Sequence, residues 1–183
     1  MNILKIIKQF KVEGKTVTSN NKHGEGRIHT TEIFVLDNTY PYILQKINHH
    51  VFPNVDGLMQ NIINVTEFIK DKVIKQGRDP HRKTLNVVYT KDDKPYFYDK
   101  DTDSYYRVYE FIKGTTEYQV LKDPIDFYWC GRAFASFSLL LSDFDTSLLH
   151  DVIPNFHNTK VRYEHLLATI KEDKYGLVET ALD

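Results

Sequence analysis

The sequence predicts an α+β fold in which an antiparallel sheet carries one long helix and leads into the first helices of a second, helical part. Three observations point there. Residues 16–47 and 84–111 hold short runs rich in β-branched and aromatic residues, separated by turn chemistry. Between them, Leu58, Ile62, Val65, Ile69 and Val73 recur at steps of four and three, the stripe of a helix buried on one face. Near Pro124 the spacing of apolar residues switches from period two to helical.

Taken in order, Ile3, Ile6, Ile7 and Phe10 mark a short opening helix. Lys5 and Lys8 interrupt it and no small-residue cleavage site follows, so it does not read as a signal peptide. Residues 16–19 and 30–36 are strands, separated by a polar, glycine-bearing loop at 20–29. Asp37, Asn38 and Thr39 supply a turn, and residues 40–47 a third strand. Asn54 and Asp56 are helix-starting residues for a helix over residues 54–76, ending near Gly77. An exposed connection at 77–82 leads to strands at 84–90, 95–99 and 105–111, joined by acidic turns. Phe127, Cys130, Phe134, Phe137 and Leu141 share the face of a later helix, and Val161, Leu166, Leu167 and Ile170 mark another after Pro154. Residues 175–183 read as the opening turns of one more, so the chain is expected to stop inside an unfinished second lobe.

Composition narrows the function. Lys and Arg number 24 against 25 Asp and Glu, with the signs interspersed, so the concentrated positive field that nucleic-acid binding needs is missing. The single cysteine, Cys130, excludes a disulfide framework and a cysteine metal site, and fits a reducing, cytoplasmic compartment. No run reaches the roughly 18 apolar residues of a membrane span. His23, His29, His49 and His50 have no acidic residue at ligand spacing, and adjacent histidines on a strand end point to opposite sides, so no metal site is expected among them.

The loop Gly24-Glu25-Gly26-Arg27-Ile28-His29-Thr30-Thr31 reads either as a plain hairpin connection or as a phosphate cradle. Its glycines let backbone approach an anion closely, and backbone N–H groups bind the oxygens. Four further segments are Tyr42-Ile43-Leu44-Gln45-Lys46-Ile47-Asn48-His49, Leu58-Met59-Gln60-Asn61-Ile62, Tyr106-Arg107-Val108-Tyr109-Glu110-Phe111-Ile112-Lys113-Gly114-Thr115 and Ile153-Pro154-Asn155-Phe156-His157-Asn158-Thr159. On these segments and their order, the chain resembles the amino-terminal half of the aminoglycoside phosphotransferase and choline kinase superfamily, which has a protein-kinase-like fold. Within it, the chain is similar to N-acetylhexosamine kinase-like members.

That resemblance implies a kinase-like N-terminal nucleotide lobe at residues 1–114 and the start of a truncated helical C-terminal lobe at 115–183. It implies ATP as cofactor, with Gly24, Gly26, Ile28 and Thr31 at the phosphates and the backbone at Glu110 and Ile112 beside the adenine. The family's third-strand lysine contacts the phosphates. Here Gln45 stands at that position with Lys46 beside it on the opposite face, and either is a candidate for the contact. Its helix partner is equally open, since Gln60 stands where an acid is expected and Glu67 lies two turns on. His157 and Arg162 are the candidates for acceptor contacts.

Phosphoryl transfer also needs a carboxylate near the acceptor hydroxyl and ligands for Mg2+. The family's H-x-D-x-x-x-x-N loop and later D-x-D or D-x-G segment are not recognisable. His150-Asp151 lacks a residue between the two, and Asp143-Phe144-Asp145 precedes any such loop. Catalytic residues and Mg2+ ligands are therefore expected beyond Asp183. The resemblance implies transfer of the ATP γ-phosphate to a hydroxyl of a small polar acceptor, an amino sugar such as an N-acetylhexosamine. The alternative is a non-catalytic kinase-like module that binds nucleotide or a protein. Phe127, Trp129, Phe134 and Phe137 are expected to need cover from a C-terminal half or a second copy of the chain.

Overall fold

Period-two patterning in three consecutive runs produces a meander of β1 (Val17–Lys22), β2 (Thr30–Leu36) and β3 (Tyr40–Ile47). In the computed structural model, which describes residues 3–24, 26, 28–115, 120 and 123–181, the helical stripe that follows forms α2 (Val55–Lys75). Asn54 caps α2 by accepting the Gly57 N–H, and Lys72 and Lys75 in its last turn complement the helix dipole. The chain then returns as β4 (Val87–Val88), β5 (Phe97–Asp99) and β6 (Ser104–Glu110). β6 inserts beside β3, giving an antiparallel six-stranded sheet in the order β1-β2-β3-β6-β4, with β5 also paired to β6. This is the α+β layout expected of a kinase-like N-terminal lobe, with the long helix placed after the third strand.

Strand alternation divides the residues of the sheet between two faces. On one face Phe34, Leu36, Tyr42, Leu44, Val88, Tyr106 and Val108 pack with Ile6, Ile7 and Phe10 from α1 (Ile3–Ile7) and the turn after it. On the other, Ile47 packs with Val55 and Met59 of α2, joined by Ile62, Val87 and Tyr105. Thr31, Ile33, Val35, Ile43 and Gln45 share that second face and remain half-buried.

β1 and β4 differ most from the sequence reading. β1 runs on through Asn20, Asn21 and Lys22, because an edge strand exposed to water tolerates polar residues and Asn20 reaches Glu32 across the pair. β4 is only two residues long. The backbone at 89–91 turns to residues 9–11 instead, with Lys11 N–H on the Tyr89 carbonyl, Lys91 N–H on that of Gln9, and Phe10 bridging Thr90.

By compactness the chain divides into residues 1–152 and 153–183. The first unit includes α3 (Pro124–Leu140), capped by Asp123, with proline in its first turn. Lys72 ties it to α2 through the Leu140 carbonyl, at 2.8 Å, and the Asp143 carboxylate. No α3 residue is buried, and Phe127 and Phe134 are 64% and 70% exposed. The second unit holds α4 (Thr159–Glu172), capped by Asn158 and stopped by Asp173 in the left-handed region, and α5 (Val178–Ala181). No helix among the described residues is long and apolar enough to cross a membrane. Cys130 is free and exposed.

Phe34 is fully buried between β3 and α1, so Phe34→Ala should cost about 3–5 kcal/mol in urea unfolding. Phe134→Ala should change stability by less than about 0.5 kcal/mol. Equal losses for the two would contradict the burial pattern.

Candidate functional site

Antiparallel pairing sets Thr31 opposite Gln45 and Gln45 opposite Arg107, so three strands contribute one side chain each to a single row on the half-open face. Arg107 Nε donates to Gln45 Oε1 at 3.0 Å, and Gln45 Nε2 donates to Thr31 Oγ1 at 3.0 Å. Arg107 Nη1 lies 3.7 Å from the Met59 sulfur, and its guanidinium carbon is 5.3 Å from the centre of the Tyr109 ring. Arg107 is only 6% exposed. Burial lowers its pKa from the ordinary value, yet a guanidinium keeps its proton. Burial likewise raises the pKa of Tyr109, whose hydroxyl has no hydrogen-bond partner among the described residues.

Position 45, where the resemblance expects lysine, is thus neutral, and the positive charge enters from the neighbouring strand. Arg107 was not singled out from the sequence. Its parity with Tyr105 and Tyr109 places it on one face of its strand, but its meeting with Gln45 follows only from the β3–β6 register.

His29, at the end of the loop, stacks on Phe52 with ring centres 5.3 Å apart, and its Nδ1 accepts the Asn48 N–H. Burial first, and then the charge on Arg107, push its pKa down to about 4. It is neutral at pH 7.

The candidates separate into distinct places. Thr31 and Gln45 meet on the half-open face. Lys46 is exposed on the opposite side and, with Ile28, Thr30, His49, His50 and Asp103, lines a cavity of about 430 Å3. Gly24 has φ +68°, a conformation glycine adopts without penalty, and Gly26 is exposed. Glu25 and Arg27 of this loop lie outside the described residues.

Glu110 and Ile112 line another cavity, of about 400 Å3, where the Glu110 carboxylate sits 3.4 Å from His81 Nδ1. The Glu110 N–H is taken by the Asn86 carbonyl and the Phe111 N–H by that of Pro41. His23, which pairs with Thr31 through its own N–H, sets its ring edge-on to Phe111 at 6.3 Å, joining the start of the loop to the end of β6.

His157 and Arg162 belong to the second unit. His157 has φ +57° and packs on the Phe156 ring, and Arg162 sits in the first turn of α4. Both are exposed.

The row offers a positive centre and hydrogen-bond donors, a combination suited to holding an anion. Its histidine neighbour does not serve as a free base, since the acceptor nitrogen of the neutral His29 ring, Nδ1, is taken by the Asn48 N–H. The carboxylates of the two lookalike motifs have local roles: Asp143 pairs with Lys72 and Asp145 accepts the Ser147 N–H. Among the described residues no group of three His, Cys, Asp or Glu side chains is placed to hold a metal ion.

The depressed pKa of His29 makes a pH prediction. Between its folded value of about 4 and the ordinary 6.5, the unfolded chain binds more protons, so stability falls as pH drops through that window. His29→Gln should flatten the dependence of the urea midpoint there. The depressed carboxylates of Asp37 and Asp99 lose their contribution lower down, as pH falls below their ordinary 3.8. Identical slopes for the parent and His29→Gln above pH 4 would contradict the burial of His29.

No family model matches the sequence. Among solved structures, an aminoglycoside phosphotransferase from Alicyclobacillus acidocaldarius subsp. acidocaldarius DSM 446 is similar at 17% identity and a TM-score of 0.49, over 93% of this chain and 43% of that one. The chain therefore spans less than half the length of that protein, and a likeness at this level assigns neither family nor activity.

Proposed function

We propose that the chain is the nucleotide lobe of an ATP- and magnesium-dependent phosphotransferase of the aminoglycoside phosphotransferase and choline kinase superfamily. Residues 1–114 would form that lobe, and residues 115–183 would begin the second. The acceptor would be a small polar molecule bearing a hydroxyl, with an N-acetylhexosamine favoured by the segments resembling kinases of that class, and His157 and Arg162 as its contacts.

One observation carries the reading. His23, at the start of the glycine-bearing loop, meets Phe111, at the end of β6, ring to ring, and the polar row Thr31-Gln45-Arg107 crosses the half-open sheet face. A triphosphate under the loop and a base beside Glu110–Ile112 would lie along that face. Carboxylates for magnesium and for the acceptor would come from a C-terminal half. A nucleotide-binding module without turnover is the second reading, favoured by the neutral Gln45.

Titrating ATP into the 183-residue chain should move amide resonances in residues 23–31 and 110–112, with weak affinity because the described residues hold no cluster of three metal-ligating side chains to help balance the triphosphate charge. Shifts confined to α3 around Phe134 would contradict the placement. The same chain should show no ATP turnover with N-acetylhexosamines. Sustained turnover by the monomer would overturn the reading that these 183 residues do not supply the catalytic loop.

A further inference from the structure

A buried charge is costly to retain unless something compensates it. Around Arg107 stand an amide, a thioether and an aromatic ring, and none of its partners among the described residues is anionic. Among the described residues the charge is buried without a counter-charge.

The row also has a direction. A guanidinium only donates, so Arg107 fixes Gln45 Oε1 as acceptor and thereby Nε2 as donor. The Gln45 amide then occupies a lone pair of Thr31 Oγ1, and the Thr31 hydroxyl proton must point elsewhere. No described residue accepts it. Each bond polarises the next, so the pull of the buried cation reaches a half-buried hydroxyl at the end of the loop. His29, two residues before Thr31, feels the same charge. With Nδ1 accepting from Asn48, its neutral ring carries the proton on Nε2 and offers a second donor.

We propose that Arg107 and Thr31 form an anion site, with Arg107 as its buried positive centre and the Thr31 hydroxyl as terminal donor, which takes a phosphate oxygen of a nucleotide polyphosphate. The site rests on the nucleotide reading for the source of its phosphate and on the row alone for its charge. Lys46, the lysine that the sequence leaves as a candidate, plays no part in it, because it lies on the other face of β3.

The test uses the 183-residue chain with two probes, tripolyphosphate and ATP, and measures binding by calorimetry. Variants are Arg107→Met, Arg107→Lys, Thr31→Val, Thr31→Ser and Lys46→Met. Arg107→Met and Thr31→Val should each weaken tripolyphosphate about tenfold or more, as expected for loss of a charge-assisted contact. Thr31→Ser and Lys46→Met should bind like the parent, and Arg107→Lys should fall between. Proton NMR of His29 gives an independent readout: its pKa should rise in Arg107→Met, where the neighbouring charge is gone, and in the parent when tripolyphosphate is added.

Should Arg107→Met not fold, Thr31→Val and Arg107→Lys decide the question. Tripolyphosphate that fails to bind the parent, or binds Thr31→Val and Arg107→Lys as tightly as the parent, overturns the site. ATP binding that ignores Arg107 and Thr31 while shifting the loop amides keeps the nucleotide reading and removes the anion site. Tripolyphosphate binding that depends on both residues, with no gain from the adenosine part of ATP, does the reverse.

Discussion

The register that holds β3 between β2 and β6 decides which side chains meet on each face of the sheet. A slip of one residue would exchange the faces, sending Leu44 and Val108 toward α2 and Gln45 and Arg107 into the apolar layer under α1. Several contacts prevent it. Asp37 and Asn38 turn tightly with positive φ, a conformation those side chains tolerate, and Asp37 also accepts the Lys15 and Thr16 N–H groups. Phe34 stacks on Tyr42 with ring centres 5.3 Å apart, and Leu44 and Val108 are buried at 2% and 0% exposure. The apolar layer under α1 thus fixes the polar row on the opposite face.

That arrangement explains how a charge is kept inside a small sheet. Arg107 is covered by Met59 from α2 and by the Tyr109 ring, and its one strong acceptor among the described residues is an amide oxygen rather than a carboxylate. A carboxylate there would neutralise the site locally. With glutamine, the field remains available to whatever approaches the loop, and it already helps to keep His29 uncharged near neutral pH. The Thr31 hydroxyl is where that field meets a group water can reach.

Much of the fold was legible in the residues themselves. β2 and β3 keep the boundaries read from their alternation, and α2 follows its stripe of Leu58, Ile62, Val65, Ile69 and Val73 between Asn54 and Gly77. β1 and β4 were not legible at their ends, because an edge strand tolerates Asn20 and Asn21, and because residues 89–91 pair with residues 9–11, a non-local contact that local pattern does not contain. The site divides the same way. The loop glycines and Gln45 stand out by type and spacing, whereas Arg107 becomes meaningful only when β6 is placed next to β3 across more than 60 positions of sequence. The exposed aromatic residues of α3 were visible as a helical face, and their exposure in the first unit leaves that face without cover among the described residues.

A crystal structure of the chain soaked with a non-hydrolysable ATP analogue tests the central claim most directly. The account predicts phosphate density on the Gln45 face of the sheet, with an oxygen within hydrogen-bond distance of Thr31 Oγ1 and the base toward residues 110–112. Phosphate density in the cavity beside Lys46, with the Thr31-Gln45-Arg107 row untouched, would contradict it.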